Sequence, residues 1–341
     1  MPVSKLDYAW GAEARRKASS STIIDKSGAG TFGWLWSELP ASAMSHHART
    51  FPLRMKVDGG AGRGESGAVV HTPRSGCDYF ESVNDLSYHS WEGGSGHACP
   101  HALESCVDPT YLLPVLSACL RKGSPRDVQS VFEGGGLAYS VVAAASEDEN
   151  MRRLGYDVLE QALAMLEDAG GGGASGGGGG KGASSEWGTL SVLLKSLRDS
   201  ITEPLMRIPA TTAMFVAESI PVVLRPASPI FTAVTKYLAS RPFLSHAEIP
   251  MFHQLLQGGG SNCRAERLWL VKLMQSCPRH EYDRCLFRKY HVPSLLMSVH
   301  DSVASDDAVR GACMAALEAH AEESGGAVYL VNNCGVGTYT L

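Results

Sequence analysis

The sequence has no long apolar run and no strong excess of either charge. A membrane-crossing helix needs roughly 18 uninterrupted apolar residues. The nearest stretch, residues 210–224, is broken by Glu218 and Pro221. The first residues, MPVSKLDYAWGAEARRKASSS, carry basic side chains with no apolar core behind them, so no secretory signal is expected. Among 341 residues, 35 acids against 30 bases leave a net charge of −5. A chain that grips nucleic acid by itself carries a basic excess or a basic face, so any RNA contact is expected to be local. The nine cysteines contain no Cys-x-x-Cys pair. Without an export signal they read as free thiols.

Signatures of chemistry are scarce as well. Gly134–Gly136 precede an apolar run but lack the lysine of a phosphate-binding loop, and residues 170–182 are low-complexity glycine. No nucleophile elbow stands between a strand and a helix. Thiolate and imidazole donors gather at Cys77, His97, Cys99, His101 and Cys106. Their spacing has no second paired knuckle and glycine surrounds them, which favours a loop over a zinc site. No catalytic, cofactor-binding or metal-binding residue is assigned, no cofactor is expected, and the chain is expected not to be an enzyme.

Helices are what the sequence has in quantity. The stretch 207–256 is almost wholly apolar, small or proline, and prolines at 209, 221, 226, 229, 242 and 250 cut it into pieces of helical length. Ser228-Pro229 reads as a helix start, with Ile230, Phe231, Val234, Tyr237 and Leu238 on one face. Asp108 is an expected N-cap for YLLPVLSACL, with Pro114 limiting or kinking that helix, and 127–145 reads as a helical or turn segment broken by Gly134–Gly136. Asn150 reads as the cap of an amphipathic helix striped by Met151, Leu154, Val158, Leu159, Ala162 and Leu166. Leu190, Leu193, Leu194, Leu197 and Ile201 mark another helix. Residues 266–277 read as a central buried helix, and Ser305 as the cap of a last one. After Asp108 only residues 327–332 suggest a strand.

The expected class is therefore all-α, an armadillo- or HEAT-like solenoid of short helices with degenerate repeats. Residues 1–57 are expected to be a flexible lead-in whose short apolar segments pack on the main body. Residues 58–106 form a Gly/Ser-rich insertion expected to be disordered. The helical-repeat domain is placed at 107–341, with a flexible glycine linker at 170–185.

One basic concentration stands out. Arg279, Arg284, Arg288 and Lys289, with His280 and His291, interleave with Tyr282, Phe287 and Tyr290. Arg284 and Arg288 are four apart and share a helix face. Basic residues with aromatics suit an RNA surface, and these four residues are the candidates for RNA or partner contact. Glu281 and Asp283 dilute the cluster.

Several pieces together resemble a known family. They are WSELP at 36–40, FPL at 51–53, DPTYLLPVLSACL at 108–120, and GLAYSVVAAASEDENMRRLGYDVL at 136–159. LLKSLRDSITEPLMRIPATTAMFVAESIPVVLRPASPIF at 193–231, KYLASRPFLSHAEIPMFHQLL at 236–256, ERLWLVKLM at 266–274 and LLMSVHDS at 295–302 complete them. In this order they resemble the C-terminal part of the nucleolar pre-ribosomal-associated protein 1 (unhealthy ribosome biogenesis protein) family. The resemblance covers most of 34–341 outside the two Gly-rich insertions. It implies a nucleolar, non-enzymatic scaffold that serves early pre-rRNA processing and assembly of the large (60S) ribosomal subunit. Pre-60S assembly factors, a DEAD-box RNA helicase among them, and pre-rRNA would be its partners, with no membrane and no small-molecule substrate. Family members are much longer, so the chain would be their C-terminal domain, and Met1 a truncated start or that of a separately encoded fragment. The other reading of the same helices is a generic armadillo-like adaptor outside the nucleolus.

Overall fold

The computed structural model describes residues 35–36, 39–55, 108–171, 183–256, 258, 262–303, 305–323, 331–332 and 335–336. The Cys77–Cys106 donor group and the whole of the expected 58–106 insertion lie outside them. The described chain is all-α. Its helices are α1 (Ala41–Arg49), α2 (Pro109–Lys122), α3 (Pro125–Glu133), α4 (Gly136–Ala143) and α5 (Glu149–Gly171), then α6 (Ala183–Arg198), α7 (Ala210–Val223) and α8 (Phe231–Ser240). There follow α9 (Phe252–Leu256), α10 (Cys263–Ser276), α11 (Glu281–Lys289), α12 (Val292–His300) and α13 (Asp307–Glu323). The one strand pairing among the described residues is a two-residue antiparallel ladder, Val331–Asn332 with Gly335–Val336. The chain divides into two compact units, residues 1–162 and 163–341.

In the first unit, α2, α3 and α4 pack successively on one another, and α1 covers α4. Helix α1 was not evident from the sequence, because ASAMSHHAR has only Met44 as a large apolar side chain. Met44 is completely buried, and Leu35, Leu39, Phe51 and Leu53 are buried around it. Phe51 meets Tyr139 edge-on with ring centroids 4.9 Å apart. Leu53 accepts a backbone hydrogen bond from Glu147 at 2.8 Å. Phe51 thus packs on α4, and Leu53 is tied to the turn that follows it. Gly135 joins α3 to α4 at φ 90°, a conformation that glycine adopts without steric cost. A side chain there would also lie 3.0 Å from Met44 Cβ.

Local polar chemistry fixes where these helices begin. Asp108 Oδ1 accepts from the Thr110 amide at 2.8 Å, so α2 starts where the sequence placed it. Ser124 and Asp127 form a reciprocal capping box on α3. Helix α5 starts two residues earlier than expected: Asp148, not Asn150, is its cap, with Oδ1 2.9 Å from the Met151 amide. Met151, Val158, Leu159, Ala162 and Leu166 are buried along its stripe, Leu154 only partly. The helices extend into both ends of the expected 170–185 linker, through Gly171 on one side and from Ala183 on the other.

In the second unit α7 is buried around most of its circumference and packs on α6, α8 and α10. Phe215 is its hub, edge-on to Tyr237 at 5.6 Å and to Trp269 at 6.1 Å. Pro221 sits inside α7, as Pro114 does inside α2, and both are exposed. The carbonyl deprived of its donor can then turn to water, and neither helix ends at its proline. Helix α10 packs on α7, α9 and α13, and α11, α12 and α13 follow one another in contact. Two expected starts shift here. Ser228 does not cap α8 at Pro229; it accepts from the Ile230 amide within a turn, and the helix opens at Phe231. Asp306, not Ser305, caps α13 through the Val309 amide at 2.9 Å, while Ser305 donates to the Val299 carbonyl.

Candidate functional site

The basic segment of the sequence folds as α11. His280 enters in extended conformation, Glu281 and Asp283 occupy the first turn, and Arg288 and Lys289 occupy the last. Acids at the N-terminus and cations at the C-terminus both complement the helix dipole. The nine residues divide sharply between two sides: Asp283, Leu286 and Phe287 are buried, while Glu281, Tyr282, Cys285, Arg288 and Lys289 are exposed.

On the exposed side Glu281 gathers the two arginines. Arg284 Nε donates to its Oε2 at 2.8 Å, and Arg288 Nη2 to its Oε1 at 2.5 Å. These hydrogen bonds, from Arg284 first and Arg288 second, hold the Glu281 carboxyl below its ordinary range. Arg288 also donates to Cys285 Sγ at 3.2 Å, and the thiol and Glu281 raise the guanidinium further. Lys289 Nζ reaches the Ala247 carbonyl at 3.4 Å and lies 5.6 Å from the Tyr290 ring centroid. Tyr282 donates from its hydroxyl to the His246 carbonyl at 2.9 Å. Arg279 stands apart from this side, half-buried before the helix, with Nε on the Ser276 carbonyl at 3.1 Å. The structure therefore brings Arg284 and Arg288 together, sets Lys289 on the next turn, and leaves Arg279 outside the helix.

Asp283 does not dilute this surface. Its side chain is fully buried and points into the second unit, where Oδ1 accepts from the Thr211 amide at 3.0 Å and from the Thr211 hydroxyl at 2.9 Å. Thr211 stands in the first turn of α7, whose own preceding residue, Pro209, offers no side-chain cap. Asp283 is thus an N-cap supplied from another helix. Burial pushes its carboxyl above the ordinary range, and the Thr211 amide and hydroxyl partly restore the charged form. Sequence spacing cannot reveal a cap 72 residues away. Behind it, Phe287 stacks on buried His320 of α13 at 5.7 Å. Burial, then Arg288 and Arg284, lower the His320 pKa and keep the ring neutral.

Among the described residues no group of three His, Cys, Asp or Glu could hold a metal ion. No helix among them is long and apolar enough to cross a membrane. Cys119, Cys263, Cys277, Cys285 and Cys313 are free thiols.

A family model described as nucleolar pre-ribosomal-associated protein 1 matches residues 137–339, more than half of the 341-residue chain. The chain belongs to this family. The nucleolar pre-ribosomal-associated protein 1 match begins inside α4 and takes in all of α11. The mouse and human proteins of that name are each 24% identical to the chain over 242 residues, which is 70% of this chain. The chain spans 10% of the length of these two relatives. No solved structure matches it.

Proposed function

We propose that the chain is a non-enzymatic scaffold domain of a nucleolar assembly factor for the large ribosomal subunit, acting in early pre-rRNA processing and pre-60S assembly. Membership of the nucleolar pre-ribosomal-associated protein 1 family carries this reading. The packing supports it: α2–α3–α4 in one unit and α11–α12–α13 in the other are short helices stacked on their sequence neighbours. Armadillo- and HEAT-like solenoids are built that way, and they hold partners on an extended rigid surface without bond chemistry. Pre-60S assembly factors, including a DEAD-box RNA helicase, are the protein partners of this scaffold. Arg284, Arg288 and Lys289, with Arg279 apart from them before the helix, form its contact to pre-rRNA or to a partner. With Asp283 turned inward, only Glu281 opposes these four cations within segment 279–289.

The test is to express the tagged full chain, image it, and sediment the lysate on a gradient. Nucleolar signal and co-migration with pre-60S particles are expected. A chain that stays out of nucleoli and sediments free of particles overturns the reading.

A further inference from the structure

In the second unit an open groove of about 390 Å³ is lined by Val192, Lys195 and Ser196 of α6 and by residues 238–242 at the end of α8. Its apolar lining comes from Val192, Leu238, Ala239 and Pro242. Val192 is 45% exposed, and Phe243, next to Pro242, is 53% exposed. Exposed apolar groups gathered at one concavity mark an interaction site more often than scattered ones do. The groove is built rather than incidental. The Leu244 amide donates to the Ser196 carbonyl at 3.3 Å, which ties the segment after α8 to α6. Arg241 is held over the Tyr237 ring at 5.3 Å.

The charges select the occupant. The lining holds two cations, Lys195 and Arg241, and no acid. Their present partners lie outside it: Glu167 is 3.3 Å from Lys195, and Glu248 is 2.7 Å from Arg241. All four side chains are well exposed, and ion pairs of that kind contribute little and exchange partners readily. The lining itself is aliphatic, and the single exposed ring beside it, Phe243, does not make the successive stacking platform that a run of bases needs, which disfavours RNA.

We propose that this groove docks an acidic amphipathic segment of a partner protein, its apolar side chains on Val192, Ala239 and Pro242 and its carboxylates on Lys195 and Arg241. The occupant is an acidic helix whose apolar residues recur at i, i+3, i+4 and i+7, laid into the groove by the helix-in-groove mode. The inference rests on the scaffold reading and fails separately from it, because its test requires neither a nucleolus nor a ribosomal particle.

The purified full chain is titrated into fluorescein-labelled probes and anisotropy is read. The probes are a short helical peptide with leucine at those positions and glutamate elsewhere, the same peptide with lysine for glutamate, one with serine for leucine, and an oligouridine RNA. The Leu/Glu peptide is expected to bind, and each altered peptide to bind at least about tenfold more weakly. Val192→Asp weakens the Leu/Glu peptide to a similar degree. The Lys195→Glu, Arg241→Glu double variant switches preference to the Leu/Lys peptide, a gain that a misfolded protein cannot give. Equal binding of all peptides, binding of none, or preference for the RNA overturns the proposal. So does concentration-dependent self-association abolished by Val192→Asp, which would make a second copy the occupant.

Discussion

Local caps serve helices of both units, among them α13 of the second through Asp306, but one helix of the second unit is capped from a distance. In the first, α2, α3 and α5 are capped by Asp108, by the Ser124–Asp127 pair and by Asp148, each within three residues of the amide it serves. In the second, α7 follows a proline and takes its cap from Asp283 of α11. A local cap strengthens one helix. A distant cap ties two helices into a single event, since the loss of α11 uncovers a buried amide of α7.

Truncating the distant cap gives the largest expected effect. Asp283→Ala leaves the Thr211 amide unpaired in the interior and should lower unfolding stability by about 2–3 kcal/mol, measured by urea denaturation of the full chain. Asp283→Asn keeps an acceptor and sheds a buried charge, so it should lose clearly less. Equal losses for the two variants would break the contrast between distant and local caps. Ser124→Ala removes half of a local box and should cost about 1 kcal/mol. In hydrogen exchange it should loosen α3 alone, whereas Asp283→Ala should loosen α7 and α11 together.

Acid offers a third probe, with opposite signs at neighbouring residues. His47, His246 and His320 are lowered by burial. As pH falls through 6.5, the unfolded chain therefore binds protons that the folded chain refuses, and stability drops. A urea midpoint measured from pH 7.5 to pH 5 should fall, and His320→Leu should flatten that fall. Asp283 acts the other way. Its raised pKa favours the folded state on acidification, so the stability gap between the native chain and the less stable Asp283→Asn should widen toward low pH. The smallest effect on stability belongs to Glu281→Gln, because its ion pairs are exposed. Its retention on heparin should nevertheless move to higher salt as Arg284 and Arg288 are released; unchanged retention would detach these arginines from any polyanion surface.

What the sequence made legible follows the same division. Asp108 was readable as a cap because side chain and amide are two residues apart, and the stripe of α5 because its period is local. Asp148 and Asp306 were each missed by one or two residues, since neighbouring Asn150 and Ser305 offer the same kind of oxygen. Helix α1 escaped because tertiary burial of Met44 and Ala48, not periodicity, holds it. At the candidate surface the residues were legible but their sides were not. Asp283 counted against a basic face until its partner on α7 was known, whereas Glu281, three and seven residues before its arginines, could be read as their neutraliser.

Protein synthesis turns this geometry into an order of events. Thr211 leaves the ribosome 72 residues ahead of Asp283. At typical elongation rates its amide waits roughly 4–14 s for the carboxylate that will cover it. During that interval the apolar circumference of α7 has no finished first turn, and its exposed surface is open to chaperones. The most buried helix of the second unit is therefore among the earliest made and cannot be completed until α11 has been synthesised.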